Sequence, residues 1–307
     1  MQPGLDHALY LLPFDHRNSY VSGMFHFEFP LDAQQQARVA ASKQLIYEGF
    51  LYAVAHGVPK QHAAVLVDEE FGARVLRHAR EHGYATALAV EKSGSDEFHF
   101  EYGEQFAAHI EAFEPSFVKV LVRYNCGDDA AMNRRQAERL KRLSDYCHAS
   151  GRPLMFELLV PATPQQLASV GGDHDAYDLR LRAQAMLDAI GELQDAGVEP
   201  AVWKIEGLQD RADCRRIVAQ VRRGGREHAS CIVLGRGADE HKVIEWLQAA
   251  AGVDGFIGFA VGRTSFFDAV AGFEAKTLTR DEAVQEIAEQ YGKWVRAFEQ
   301  AREASAR

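Results

Sequence analysis

The sequence has 307 residues, 47% hydrophobic and 25% charged, with a formal net charge of -10. That is ordinary for a soluble globular protein, and the acidic balance is not the footprint of a nucleic-acid binder. No apolar run approaches the ~20 residues of a membrane span, residues 1–7 carry no signal-peptide pattern, and Cys126, Cys147, Cys214 and Cys231 form no C-x-x-C. A reducing cytoplasm is therefore the expected compartment, without membrane or nucleic-acid partners.

Residues 9–14 predict the first strand, followed directly by the polar run Asp15, His16, Arg17. An aromatic, glycine-containing stretch at 20–30 reads as loop, and Asp32 is placed to cap a helix running to about residue 55. Short apolar runs predict further strands at 63–67, 85–90, 117–122, 154–160, 202–206, 229–234 and 254–260. Helices are expected between them at 73–82, 102–113, 132–149, 179–196, 210–222 and 241–250, with a glycine- and aspartate-rich loop at 169–175. A short helix at 266–271 and a final helix from 278 to about 303 complete the chain.

Strands that alternate with helices form parallel βαβ units. Eight of them, with no compositional break, predict a single α/β domain over 1–307: a (β/α)8 TIM barrel with an extra terminal helix. An open doubly wound sheet would need a G-x-G-x-x-G fingerprint after the first strand or a Walker A sequence, and neither is present.

Lys119, Glu157 and Lys204 interrupt strands four, five and six, each between apolar neighbours. Period-two geometry turns each away from those neighbours, and an inward turn places two lysines and a glutamate in one small volume. A single buried lysine is as well explained by an ion pair, for which Glu157 or Glu206 would serve Lys204. A charge network of purely structural purpose is the alternative for the trio. Three intrusions on adjacent strands favour amine catalysis. A lysine amine attacks a ketone only when neutral, and burial beside a second cation such as Lys119 favours that form. Glu157 is suited to moving the protons. His16, His56, His99 and His174 show no metal-binding spacing, so neither metal nor cofactor is expected. Gly235-Arg236-Gly237 and Gly262-Arg263-Thr264 follow strands seven and eight, where such barrels bind phosphate. Turn glycines with surface arginines are the alternative, outweighed by the fall of two independent Gly/Arg elements on adjacent loops.

Residues 12–17, 89–94, 118–124, 156–160, 202–207, 233–239 and 258–264 together resemble the DUF2090 family, an aldolase-like domain often fused behind a sugar kinase of inositol catabolism. The class I tagatose-1,6-bisphosphate aldolases are a more distant likeness. The resemblance implies that Lys204 is the Schiff-base lysine, Glu157 the acid/base residue and Lys119 its assistant. Asp15, His16 and Arg17 match an Asp-Gln-Arg motif, with histidine replacing glutamine and its role left open. Gly235, Arg236, Gly262 and Arg263 fall on the phosphate side. The implied reaction is cleavage of 5-dehydro-2-deoxy-D-gluconate 6-phosphate to dihydroxyacetone phosphate and malonate semialdehyde. Asp15 would share the proton work, Arg17 or Arg123 would hold the carboxylate, and Lys92 stands at the same rim. Another ketose phosphate, such as tagatose 1,6-bisphosphate, is the nearest alternative; a non-catalytic sugar-phosphate sensor or kinase partner is a further one. No kinase domain accompanies the sequence, so a separate kinase is expected to supply the substrate. A homo-oligomer is compatible with this reading.

Overall fold

The computed structural model describes residues 7–305, so residues 1–6 of the stretch read for a targeting pattern lie outside the described residues. Eight parallel strands close into a barrel in sequence order: β1 (Leu9–Pro13), β2 (Ala63–Asp68), β3 (Ala85–Ala89), β4 (Phe117–Arg123), β5 (Leu154–Leu159), β6 (Val202–Glu206), β7 (Ser230–Leu234) and β8 (Phe256–Ala260). The helices are α1 (Asn18–Tyr20), α2 (Ala33–Ala55), α3 (Glu69–Glu81), α4 (Phe106–Phe113), α5 (Ala130–Ser150), α6 (Pro164–Ser169), α7 (His174–Arg180), α8 (Arg182–Asp195), α9 (Arg211–Val221), α10 (Glu240–Ala251), α11 (Arg263–Glu274) and α12 (Arg280–Ser305). This is the TIM barrel that the alternation predicts, and α12 is its extra terminal helix.

Local chemistry sets the helix starts. Side chains of Asp32, Asp68, Asp129, Thr163, Asp173, Asp210 and Asp239 accept from first-turn N–H groups of α2, α3, α5, α6, α7, α9 and α10. Each such cap is worth about 1 kcal/mol. Two stretches read as loop are more ordered than expected. Residues 20–30 hold a π-helical turn, Val21–Phe25, because Tyr20, Val21 and Phe25 bury their apolar side chains. The loop at 169–175 is only the junction between α6 and α7, each started by its own cap. The expected short helix at 266–271 is longer, starting at Arg263 as α11.

Apolar side chains pack in two places. Leu9, Leu11, Ala64, Leu66, Ala87, Ala89, Phe117, Met155, Val202, Ile232 and Ala260 fill the barrel interior. A larger cluster lies between strands and helices, where α12 packs on α2, α10 and α11. Its Trp294 and Phe298 are fully buried, each contributing about 1.5–3 kcal/mol by burial. The Trp294 indole N–H also donates to Ser265 Oγ at 2.9 Å, fixing α12 to α11.

Candidate active site

The barrel register explains why charged residues meet at one end. Glu157 and Lys204 are direct Cα partners across β5 and β6, so their side chains share a face. Lys119 pairs with Ala89 and Met155, one inward step deeper than Glu157. Above the apolar interior, Asp15, Glu91, Glu157 and Lys204 line a cavity of about 1010 Å³ at the C-terminal end of the strands. Catalytic groups of this fold class sit at that end.

Lys119 lies beneath the cavity, fully buried, and holds three carboxylates: Asp15 Oδ2 at 2.6 Å, Glu91 Oε1 at 2.8 Å and Glu157 Oε2 at 2.9 Å. The other oxygen of Glu157, Oε1, stands 2.7 Å from Lys204 Nζ. The expected crowding of two lysines is therefore corrected. A carboxylate separates the ammonium groups, because the register sets Lys119 one layer below Lys204. Burial works against a charged Lys119, but Asp15, Glu157 and Glu91 outweigh it and hold the ammonium well above its usual range. Burial likewise opposes the Asp15 carboxylate, and Lys119, His16 and Lys204 overcome it to keep Asp15 ionised far below the ordinary range. Glu157 is lowered in the same way, by Lys119 first and Lys204 second. For Glu91 burial wins, and its carboxyl is raised against the pull of Lys119 and Arg17.

The remaining expected residues divide into committed and free. Arg17 is buried, donating to Glu101 Oε2 at 2.7 Å and to the Glu91 main-chain oxygen at 2.6 Å. It braces the site and is not a free clamp. Lys92 and Arg123 are exposed at the mouth, and among the described residues neither has an ion-pair partner. His16 lines the cavity with its ring edge-on to Phe266 and its Nδ1 buried without a hydrogen-bond partner among the described residues. Burial pushes its imidazolium down to about 4, against the attraction of Asp15.

On the opposite wall, Gly262 lets the β8–α11 turn approach β1, since a Cβ there would stand 2.4 Å from the Pro13 oxygen. Arg263 follows, with Nη2 on the Ser19 oxygen at 3.1 Å and a buried Nε that has no hydrogen-bond partner among the described residues. Thr264 donates to the Ala238 oxygen at 3.0 Å and joins the two late loops. Gly235 contributes no free donor, because its N–H is spent on the Ala260 oxygen at 3.2 Å. Arg236 has a left-handed backbone (φ 54) and is held by Asp178 Oδ2 at 2.6 Å and Glu206 Oε1 at 3.0 Å.

Three features escape the sequence reading. Glu91 continues the inward alternation of Ala85, Ala87 and Ala89, a signal in plain view beside the more conspicuous Lys92. Arg182, Asp178 and Glu206 form the network that restrains Arg236. Lys43 of α2 is fully buried on Asp68, away from the cavity. Among the described residues no group of three His, Cys, Asp or Glu is placed to hold a metal ion, and no helix is long and apolar enough to cross a membrane.

No curated protein matches the chain. A structural-genomics target from Corynebacterium glutamicum shares the fold with a TM-score of 0.59 and 15% identity, covering 96% of this chain and 88% of that one. A fructose-bisphosphate aldolase from Slackia heliotrinireducens gives a TM-score of 0.53 at 11% identity, over 92% and 86% of the two chains. Both are likenesses of fold. Residues 3–302 match the family described as "Uncharacterized protein conserved in bacteria (DUF2090)", and the chain belongs to that family.

Proposed function

We propose that the protein is a class I, Schiff-base aldolase of ketose phosphates, with residues 1–307 as one catalytic domain. The observation that carries this reading is the Lys204–Glu157 pair at 2.7 Å, open to the cavity and backed by Lys119. A lysine must lose a proton before it attacks a ketone, and Glu157 is within transfer distance. The named aldolase among the structural neighbours agrees with the reading.

The preferred substrate is 5-dehydro-2-deoxy-D-gluconate 6-phosphate. Lys204 Nζ attacks its C5 ketone. Glu157 moves protons as the carbinolamine loses water, and the imine becomes an electron sink. Removal of the C3 hydroxyl proton by Glu157 or Asp15 breaks the C3–C4 bond and releases malonate semialdehyde. The electron pair left at C4 is protonated, and water hydrolyses the imine to free dihydroxyacetone phosphate. Arg263 and the first-turn N–H groups of α11 suit the phosphate, with Arg236 on the same wall. Arg123 and Lys92, unpaired at the mouth, suit the substrate carboxylate. A soluble cytoplasmic enzyme is the matching setting.

The test is a cleavage assay on this sugar acid phosphate and on tagatose 1,6-bisphosphate, reading dihydroxyacetone phosphate by NADH-coupled reduction. Release from the acid supports the reading. Release from the bisphosphate alone moves the substrate assignment, and turnover of neither by folded protein sinks it.

A further inference from the structure

Glu91 has no task in the reaction just described, yet its position is tightly built. Its Oε1 accepts from Lys119 Nζ at 2.8 Å, while its Oε2 is buried without a hydrogen-bond partner among the described residues. Arg17 fixes it from behind, donating to the Glu91 main-chain oxygen and to Glu101. Beyond Lys119 the line continues to Glu157 at 2.9 Å and from there to Lys204 at 2.7 Å. Four groups of alternating charge thus run from the brace to the amine. With Asp15 included, three carboxylates face two ammonium groups. One ammonium divides its donors among its acceptors, so contact given to Glu91 is withheld from Glu157.

We propose that Glu91 is a positioning residue that sets, through Lys119, how a proton is divided between Glu157 and Lys204. The inference rests on the aldolase reading of the same site. Among the described residues Lys204 pairs with Glu157 on β5 and acts on Asp15 and His16 after β1, with Lys119 of β4 on the far oxygen of Glu157. Those around Glu91 are Lys119, Arg17 and Asp15. Replacing Glu91 by glutamine removes one negative charge and frees Lys119 to bind Glu157 more closely. Both effects disfavour the Lys204 ammonium, so the neutral amine is reached at lower pH.

The experiment is competitive acetylation of the intact protein with acetic anhydride across pH, reading the Lys204 peptide by mass spectrometry. Glu91→Gln is expected to move the labelling midpoint of Lys204 about one pH unit toward acid, and Glu91→Asp to return it toward the wild-type value. An unmoved midpoint in folded Glu91→Gln protein overturns the proposal, as a merely structural role would leave it in place. If Glu91→Gln does not fold, Glu91→Ala, which also removes the charge, is read in its place: its Lys204 midpoint moves toward acid or the proposal fails. Labelling needs no substrate, so loss of the aldolase reading is distinguished separately, by absence of any reducible imine in wild-type protein.

Discussion

Lys43 and Lys204 are both buried lysines ion-paired to a carboxylate, and they teach different things. Lys43 reaches from α2 to Asp68, whose other oxygen caps α3 through the Phe71 N–H at 2.8 Å. Among the described residues both side chains of that pair are fully buried, and it joins α2 to the β2–α3 corner. Burial lowers the Lys43 ammonium against the pull of Asp68. Lys204 instead faces a cavity, and its carboxylate is shared with a second, deeper lysine. Burial of a lysine is therefore no sign of chemistry by itself. Access, and a carboxylate able to take the proton, make the difference.

The sharpest break between the two is mutational. Lys204→Ala is expected to lower kcat by ~10⁴-fold or more while circular dichroism and unfolding midpoint stay near wild type. Glu157→Gln, which keeps the shape but cannot take a proton, is expected to cost ~10²–10⁴-fold in kcat. Lys43→Met should behave in the opposite way. It strands Asp68 as a buried, unpaired charge and should destabilise the fold by about 3–5 kcal/mol in urea unfolding, with near-normal turnover in the folded fraction.

Smaller effects sharpen the picture of the cavity walls. Arg263→Ala is expected to raise KM ~10–100-fold through a lost charged hydrogen bond, with kcat changed less, as steady-state kinetics would show. His16 gives a pH test. Its folded imidazole takes a proton at about 4, whereas an unfolded histidine does so near ~6.5. The unfolded chain thus binds more protons between those values, so the His16 contribution to stability is complete above the unfolded value and is lost as pH falls through the window. Unfolding free energy measured across that range should fall less steeply in His16→Gln than in wild type.

Much of this was legible before the structure. β6 runs over the residues expected, 202–206, and the inward alternation of β4, β5 and β6 put Lys119, Glu157 and Lys204 on one face. The α6 start was also readable and missed: Thr163 and Gln166 form a capping box around Pro164. Other features lie beyond local pattern. Arg17 is committed to partners 74 and 84 residues away, and Lys43 looked like any helix lysine until Asp68 was folded against it. Such pairings depend on register and helix docking, which a linear pattern does not encode.

The most direct test of the central claim is borohydride reduction of the protein during turnover of 5-dehydro-2-deoxy-D-gluconate 6-phosphate, followed by peptide mapping. One stable substrate-derived adduct is expected, on the peptide carrying Lys204, with inactivation in step with its formation. An adduct confined to another lysine, or continued cleavage with no adduct at all, would contradict it.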